Sequence, residues 1–244
     1  MIGAFNHIID SVQALESERC ATAASILHEL RTQLTVLQAR LSALCDGVIA
    51  ADAHEFQTLL AQVEHLGRMV SDLHTLSMAD AGQLSLHLQR LDLNALVSEA
   101  LEQLRPQLSA AGMTLALALP LEEGLADIRA DSDRMRQIIS NLVGNAIRHA
   151  AQGGWLGVQV RAENAGDGRT WILLTIDDAG PGLPAEVRDQ PFQRFALAPG
   201  KRRREGSGLG LSIVRALTEA QGGSVQPGLS ERGGARFTLR FAQA

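Results

Sequence analysis

From Cys20 onward, apolar residues recur three and four apart: Cys20, Ala23, Leu27, Leu30, Leu34, Leu37, Leu41, Leu44 and Val48. This is a heptad seam at positions a and d, held for about four heptads, and it predicts one long amphipathic helix. A second run with the same period follows: Phe56, Leu59, Val63, Leu66, Val70 and Leu73. The stretch CDGVIAADAH between them is short enough to join two antiparallel helices. A single hairpin of this kind exposes its seam to water, whereas two hairpins bury it as a four-helix bundle. The pattern therefore predicts a homodimer.

After Ala79-Asp80-Ala81-Gly82 the period changes. Residues 83–91 alternate, with Leu84, Leu86 and Leu88 on one face, which predicts a strand. Asp92 or Asn94 then caps a helix to about Ala110, and Gly112 breaks it. Met113 to Leu119 and Ala126 to Ala130 read as further strands. Trp155 to Ala162 and Thr170 to Asp177 read as a hairpin around the loop ENAGDGR. The C-terminal GGSVQPG and GARFTLRFA close the chain as two more strands. An all-helical part thus meets a mixed α/β part at residues 80–83, which makes the chain α+β.

The segment from Asp131 to Ala150 is the centre of the second part. Ile138, Ile139, Leu142, Val143, Ala146 and Ile147 form one face of a helix, with Asp131 or Ser132 as its cap. Asn141, Asn145 and Arg148 form a polar line at i, i+4 and i+7, with His149 beside them. Asn is a poor helix former, so two of them one turn apart suggest oxygen ligands aimed at a common target. Hydrated Mg²⁺ carrying phosphates fits that description. Downstream, a strand runs into Asp177-Asp178-Ala179-Gly180-Pro181-Gly182, a tight turn with an acid at its mouth that suits an exocyclic amine such as adenine's. Phe192 and Phe195 follow, then the basic loop APGKRRREGSG, and then Gly206-Ser207-Gly208-Leu209-Gly210-Leu211 opens an apolar helix. Glycines and free amides at a helix start make an anion site. On the N-terminal seam helix, His28 falls at position b, beside the core, with Glu29 next to it and Thr32 one turn on. A carboxylate beside an imidazole can select a tautomer and sharpen the other nitrogen as a nucleophile.

Composition narrows the picture further. The net charge of -5 gives no support to nucleic-acid binding. No apolar run is long enough to span a membrane, and no leader is visible at Met1. Cys20 and Cys45 have no metal-ligand partners in sequence, which points to a reducing cytoplasmic setting. Residues 1 to about 16 read as a helix with no cap before Ile2, so the chain reads as the C-terminal piece of something longer.

Taken in order, these motifs resemble sensor histidine kinases, whose ATP-binding domain belongs with the gyrase, heat-shock and mismatch-repair ATPases. Asn141 to His149 looks like the N box, Asp178 to Gly182 the first glycine box, Phe192 to Phe195 the F box, and Gly206 to Leu211 the second glycine box. His28 to Leu34 looks like the H box. The resemblance implies a linker tail over 1–16, a dimerisation and phosphotransfer domain over 17–80, and an ATP-binding catalytic domain over 83–244. It implies an antiparallel hairpin forming a dimeric four-helix bundle, then an α/β sandwich with a mixed sheet and helices on one face. His28 would accept the phosphoryl group, Glu29 would be its base or orienting partner, and Thr32 would serve the phosphatase direction. Asn145 would ligate Mg²⁺, with Asn141 and Arg148 near the phosphates and His149 beside the adenine. Asp178 would read the adenine amine. Gly180, Gly182, Phe195, Gly206, Gly208, Leu209 and Gly210 would shape the pocket and its lid. The implied partners are ATP, Mg²⁺, a second copy of the chain and a response regulator, with any membrane contact through a missing N-terminal part. The alternative is a signalling dimer that is catalytically silent or phosphatase-biased.

Three positions depart from the family pattern. Gln33 stands where Pro is usual, which implies a straighter helix. His149 replaces a common aromatic, and Arg148 a frequent Lys.

Overall fold

The structure, a computed structural model, describes residues 27, 30–120, 124, 126–166, 168–195 and 208–244. His28, Glu29, Gly206, the 1–16 tail, Cys20 and the basic run Lys201 to Arg204 lie outside the described residues. The chain divides into two compact units, residues 1–71 and 72–244.

In the first unit, helix α1 covers residues 30–45 in its described part and runs through Gln33 without a break. Helix α2 is Ala53–Asp80, and its stretch from Asp72 onward belongs to the second unit. The turn between them closes with Val48 N–H donating to the Ala43 carbonyl at 2.9 Å, and Gly47 takes a positive φ of 70°. Asp52 caps α2 by accepting from Glu55 N–H at 2.8 Å. The Glu55 carboxylate then reaches back to Arg40 of α1 at 2.7 Å, fixing the base of the hairpin. The heptad seam splits into two rows. The d residues Leu30, Leu37, Leu44 and Leu66 are half-buried and Leu59 is buried. The a residues stay in water, with Leu34 49%, Leu41 46%, Phe56 58%, Val63 51% and Val70 56% exposed. One hairpin therefore covers only half of its own apolar seam.

In the second unit, strand β1 (Gln89–Asp92) leads into α3 (Leu93–Ala110), β2 (Thr114–Ala118), β3 (Asp127–Ala130) and α4 (Ser132–Ala150). The hairpin β4 (Trp155–Asn164) and β5 (Thr170–Asp178) follows, then the short α5 (Ala185–Arg188), α6 (Gly210–Ala220), β6 (Ser224–Leu229) and β7 (Ala235–Ala242). The main sheet has the order β2-β4-β5-β7-β6, with β2 parallel to β4 and the other pairs antiparallel. Alternation along β5 and β7 puts Ile172, Leu174 and Ile176 opposite Phe241, Leu239 and Phe237 on one face, all buried. The apolar stripes of α3, α4 and α6 bury Val97, Leu101, Ile138, Leu142, Ile213 and Leu217. The other sheet face carries a polar row, Gln159, Thr175, Thr238 and Gln226. The chain's two Trp are capped by cations, Arg232 4.2 Å from the Trp155 ring centroid and Arg240 4.0 Å from that of Trp171. The unit is a two-layer sandwich, as the sequence implies.

One expectation needs correction. The alternating stretch 83–91 forms no long strand: only Gln89–Asp92 is β-structure, paired antiparallel with β3 in a separate two-stranded sheet. Residues 83–88 dock through a side chain instead, His87 N–H donating to Asp131 Oδ2 at 2.8 Å. Of the candidate caps, Asp92 starts α3 by accepting from Asn94 and Ala95 N–H, and Asp131 starts α4 by accepting from Asp133 and Arg134 N–H.

Asp131 is buried, and burial alone would raise its pKa. Three backbone N–H bonds, from His87, Arg134 and Asp133, outweigh this, with help from the Arg134 charge, and hold it below the ordinary carboxylate range. Its own N–H donates to Gln221 Oε1 at 2.8 Å, tying the start of α4 to the end of α6. Asp131→Asn is expected to cost about 2 kcal/mol. Because the folded-state pKa is depressed, that difference is full above about pH 4 and closes as the pH falls through the lowered value. Melting curves of parent and variant over that range check it: a constant gap across acid pH would show that the charge contributes nothing.

Candidate functional site

Helix α4 organises the site because its polar line and its C-terminal end face different glycine turns. Asn141 and Asn145, one turn apart, are half-buried. The start of α6 comes against this line: a Cβ on Gly210 would lie 3.5 Å from Asn141 Oδ1 and 4.0 Å from an Arg148 guanidinium nitrogen. Arg148 lies back along its own helix over Gly144. Leu209 precedes α6 fully buried, and among the described residues no side chain caps the helix, whose start is the kind of backbone that suits an anionic acceptor. An Asn141 oxygen, a guanidinium and a helix start thus converge from two helices.

The other cluster lies at the end of α4. Asp178, the last residue of β5, is buried, and its Oδ1 accepts from Gly180 N–H and Ala235 N–H, each at 2.9 Å. Among the described residues, Oδ2 accepts no hydrogen bond. Gly180 packs on the final residue of α4, where a Cβ would come 2.6 Å from the Ala150 Cβ. Only glycine lets the turn sit this close to the helix. Gly182 rests against the Gly233 carbonyl, and a Cβ on Gly234 would overlap the Asp178 carboxylate. The β6–β7 turn is therefore part of the site. Sequence reasoning missed it, although the Gly233-Gly234 pair was a visible sign of close backbone approach.

Phe195 and Gly208 form a third contact. Phe195 N–H donates to the Gly208 carbonyl at 2.9 Å, and both residues have positive φ, 58° and 67°. For a bulky residue such as Phe this is a strained conformation. Phe192 packs edge-on to Phe237 with centroids 6.3 Å apart. His149 is half-buried in the last turn of α4. From Asn141 to Ala150 the helix advances about 13 Å, a span suited to a nucleotide extended from base to terminal phosphate.

Of the sequence-predicted residues, the structure brings Asn141, Arg148 and Gly210 into one group. Asp178, Gly180 and Gly182 form a second, and Phe195 and Gly208 a third. Thr32 is half-buried in α1. His28, Glu29 and Gly206 lie outside the described residues.

Comparison with known proteins agrees with this architecture. Residues 18–82 match the His Kinase A (phospho-acceptor) domain. Residues 130–244 match the family described as Histidine kinase-, DNA gyrase B-, and HSP90-like ATPase. The signal transduction histidine-protein kinase BaeS of Escherichia coli K12 is 33% identical over 239 residues, covering 97% of this chain and 50% of BaeS. Among solved structures, the Acinetobacter baumannii histidine kinase AdeS superposes with a TM-score of 0.74 at 32% identity, covering 88% of this chain and 98% of that one. Full-length ShkA in complex with AMPPNP superposes with a TM-score of 0.58 at 30% identity, covering 91% of this chain and 46% of that one. The chain spans about half the length of the curated relative BaeS. With a phosphoacceptor-type helical part, an ATPase-type sandwich behind it and both in the family's order, the chain belongs to the sensor histidine kinases.

Proposed function

We propose that this chain binds ATP with Mg²⁺, transfers the γ-phosphoryl group to its own His28, and passes it on to an aspartate of a response regulator. The convergence of Asn141, Arg148 and the start of α6 carries this reading. These groups are hard oxygen donors, a fixed cation and oriented N–H dipoles, the set a triphosphate needs. Asp178, whose turn packs on the last residue of α4, has its Oδ1 occupied by two backbone donors and would leave Oδ2 to accept from the adenine amine.

Each residue then has a stated task. Asn145 would hold Mg²⁺, which would supply positive charge against the phosphates. Asn141, Arg148 and the amides from Gly208 to Gly210 would orient the phosphates. His149 would lie along the adenine. Glu29 would take or hold the imidazole proton as a His28 nitrogen bonds to phosphorus, the bond to the bridging oxygen breaks and ADP leaves. Positioning and charge stabilisation do the work. Thr32 would orient a water for the reverse, phosphatase direction. The exposed row of a residues supports a homodimer whose second hairpin completes the bundle. No helix among the described residues is long and apolar enough to cross a membrane.

Incubation with γ-labelled ATP and Mg²⁺ tests the reading, with His28→Ala and Asn145→Ala beside the parent. Acid-labile, base-stable label on the parent, lost by at least a thousandfold in both variants, is expected. Nucleotide binding without label on the parent would favour a silent or phosphatase-biased dimer. Absence of nucleotide binding would overturn the site.

A further inference from the structure

One ion pair links the end of the hairpin's second helix to the candidate nucleotide site. Asp80 is the last residue of α2, and a single Arg194 guanidinium nitrogen donates to both its carboxylate oxygens, at 2.6 and 2.7 Å, across 114 positions of sequence. Arg194 immediately precedes Phe195, the one described non-glycine residue with positive φ. Phe195 N–H is bonded to the Gly208 carbonyl, and Gly208 itself presses on Phe195, where an added Cβ would lie 2.9 Å from Cα. Two residues further on, Gly210 abuts Asn141 and Arg148. The path from α2 to the phosphate end of the site thus runs through one ion pair, one backbone hydrogen bond and a few covalent links.

A strained φ on a bulky residue persists only where its surroundings over-determine it. Here the Gly208 bond holds Phe195 directly, and the Asp80 pair holds the residue before it. We propose that Asp80 and Arg194 are positioning residues for nucleotide binding: their ion pair fixes Phe195, and through it keeps the start of α6 set against Asn141. This rests on the nucleotide-site reading above. By linkage the coupling is reciprocal, so a bound nucleotide strengthens the hold on the last turn of α2. The Arg194 and Asp80 side chains retain 29% and 44% exposure respectively, so the pair contributes modestly and is weakened by salt.

The test uses the full chain and Mg-ATP, with binding read by calorimetry and folding by thermal melting. Asp80→Asn and Arg194→Gln should each weaken binding about three- to fivefold, with little change in melting. The double variant should be no weaker than either single, and the exchange Asp80→Arg with Arg194→Asp should recover most of the loss. Hydrogen exchange of residues 77–82 should slow on adding Mg-ATP to the parent and not to Asp80→Asn, a response that a purely structural pair would not give. Unchanged affinity in both single variants, or fully additive losses, overturns the proposal while leaving the site intact. A parent that binds no nucleotide overturns the site reading itself, and with it this inference.

Discussion

Asp178→Asn is expected to lower ATP affinity about a hundredfold while leaving the melting temperature almost unchanged. The separation of the two effects follows from the geometry. Oδ1 accepts from Gly180 and Ala235 N–H, and the Asn side-chain oxygen can accept both in the same place. These two donors also fix the amide's orientation, so its NH₂ replaces Oδ2 and turns toward the base. A donor then meets adenine's own donor where a charged acceptor stood, a change worth about 3 kcal/mol. A purine triphosphate with a 6-oxo group should lose less with the variant than ATP does, because its oxygen can accept from the new amide. Titration of both nucleotides against parent and variant checks this, and equal losses for the two would remove Asp178 from base recognition. Asp178→Ala should behave differently. It leaves two N–H groups without their acceptor in a buried turn and should destabilise the second unit by about 2–3 kcal/mol.

The second large effect is expected at the hairpin. Val63→Glu should convert a dimer into a monomer, with dissociation strengthened at least a thousandfold. Val63 lies in the exposed row with Leu34, Leu41, Phe56 and Val70. If a second copy covers that row, each interface acquires two buried carboxylates without partners, at several kcal/mol apiece. The same substitution on a permanently exposed surface would cost almost nothing. Gln57→Glu on the wet side of the same helix is the control and should leave the assembly unchanged. Sedimentation velocity across a dilution series measures both. A Val63→Glu protein that remains dimeric at the parent's concentrations would show that this row is not the interface.

Much of this was legible in the sequence because it is local. Heptad spacing determined the two hairpin helices, and two strand-length runs around a loop of turn composition determined the β4–β5 hairpin. The polar line Asn141, Asn145, Arg148 is a property of one helix, so spacing alone placed it on one face. Motif order determined the family, since boxes separated by loops of differing length keep their sequence order whatever the fold does between them.

Other features depended on contacts between distant segments. Residues 83–91 alternate as a strand should, yet Asp131 takes the His87 N–H and most of the ladder never forms. Local pattern cannot state which acceptor a backbone donor will find. The parallel pairing of β2 with β4 was likewise undecided, because an edge strand reads the same in either direction. The β6–β7 turn joined the site only because the Ala235 N–H and Asp178 carboxylate, 57 positions apart, meet in space. The Asp80–Arg194 pair spans twice that separation, and nothing in either neighbourhood announces it. The sequence by itself determined most of the elements and the types of chemical group on offer. Which buried donor meets which acceptor, and so how the glycine turns close around α4, was decided by tertiary packing, because those bonds form between segments that share no local pattern.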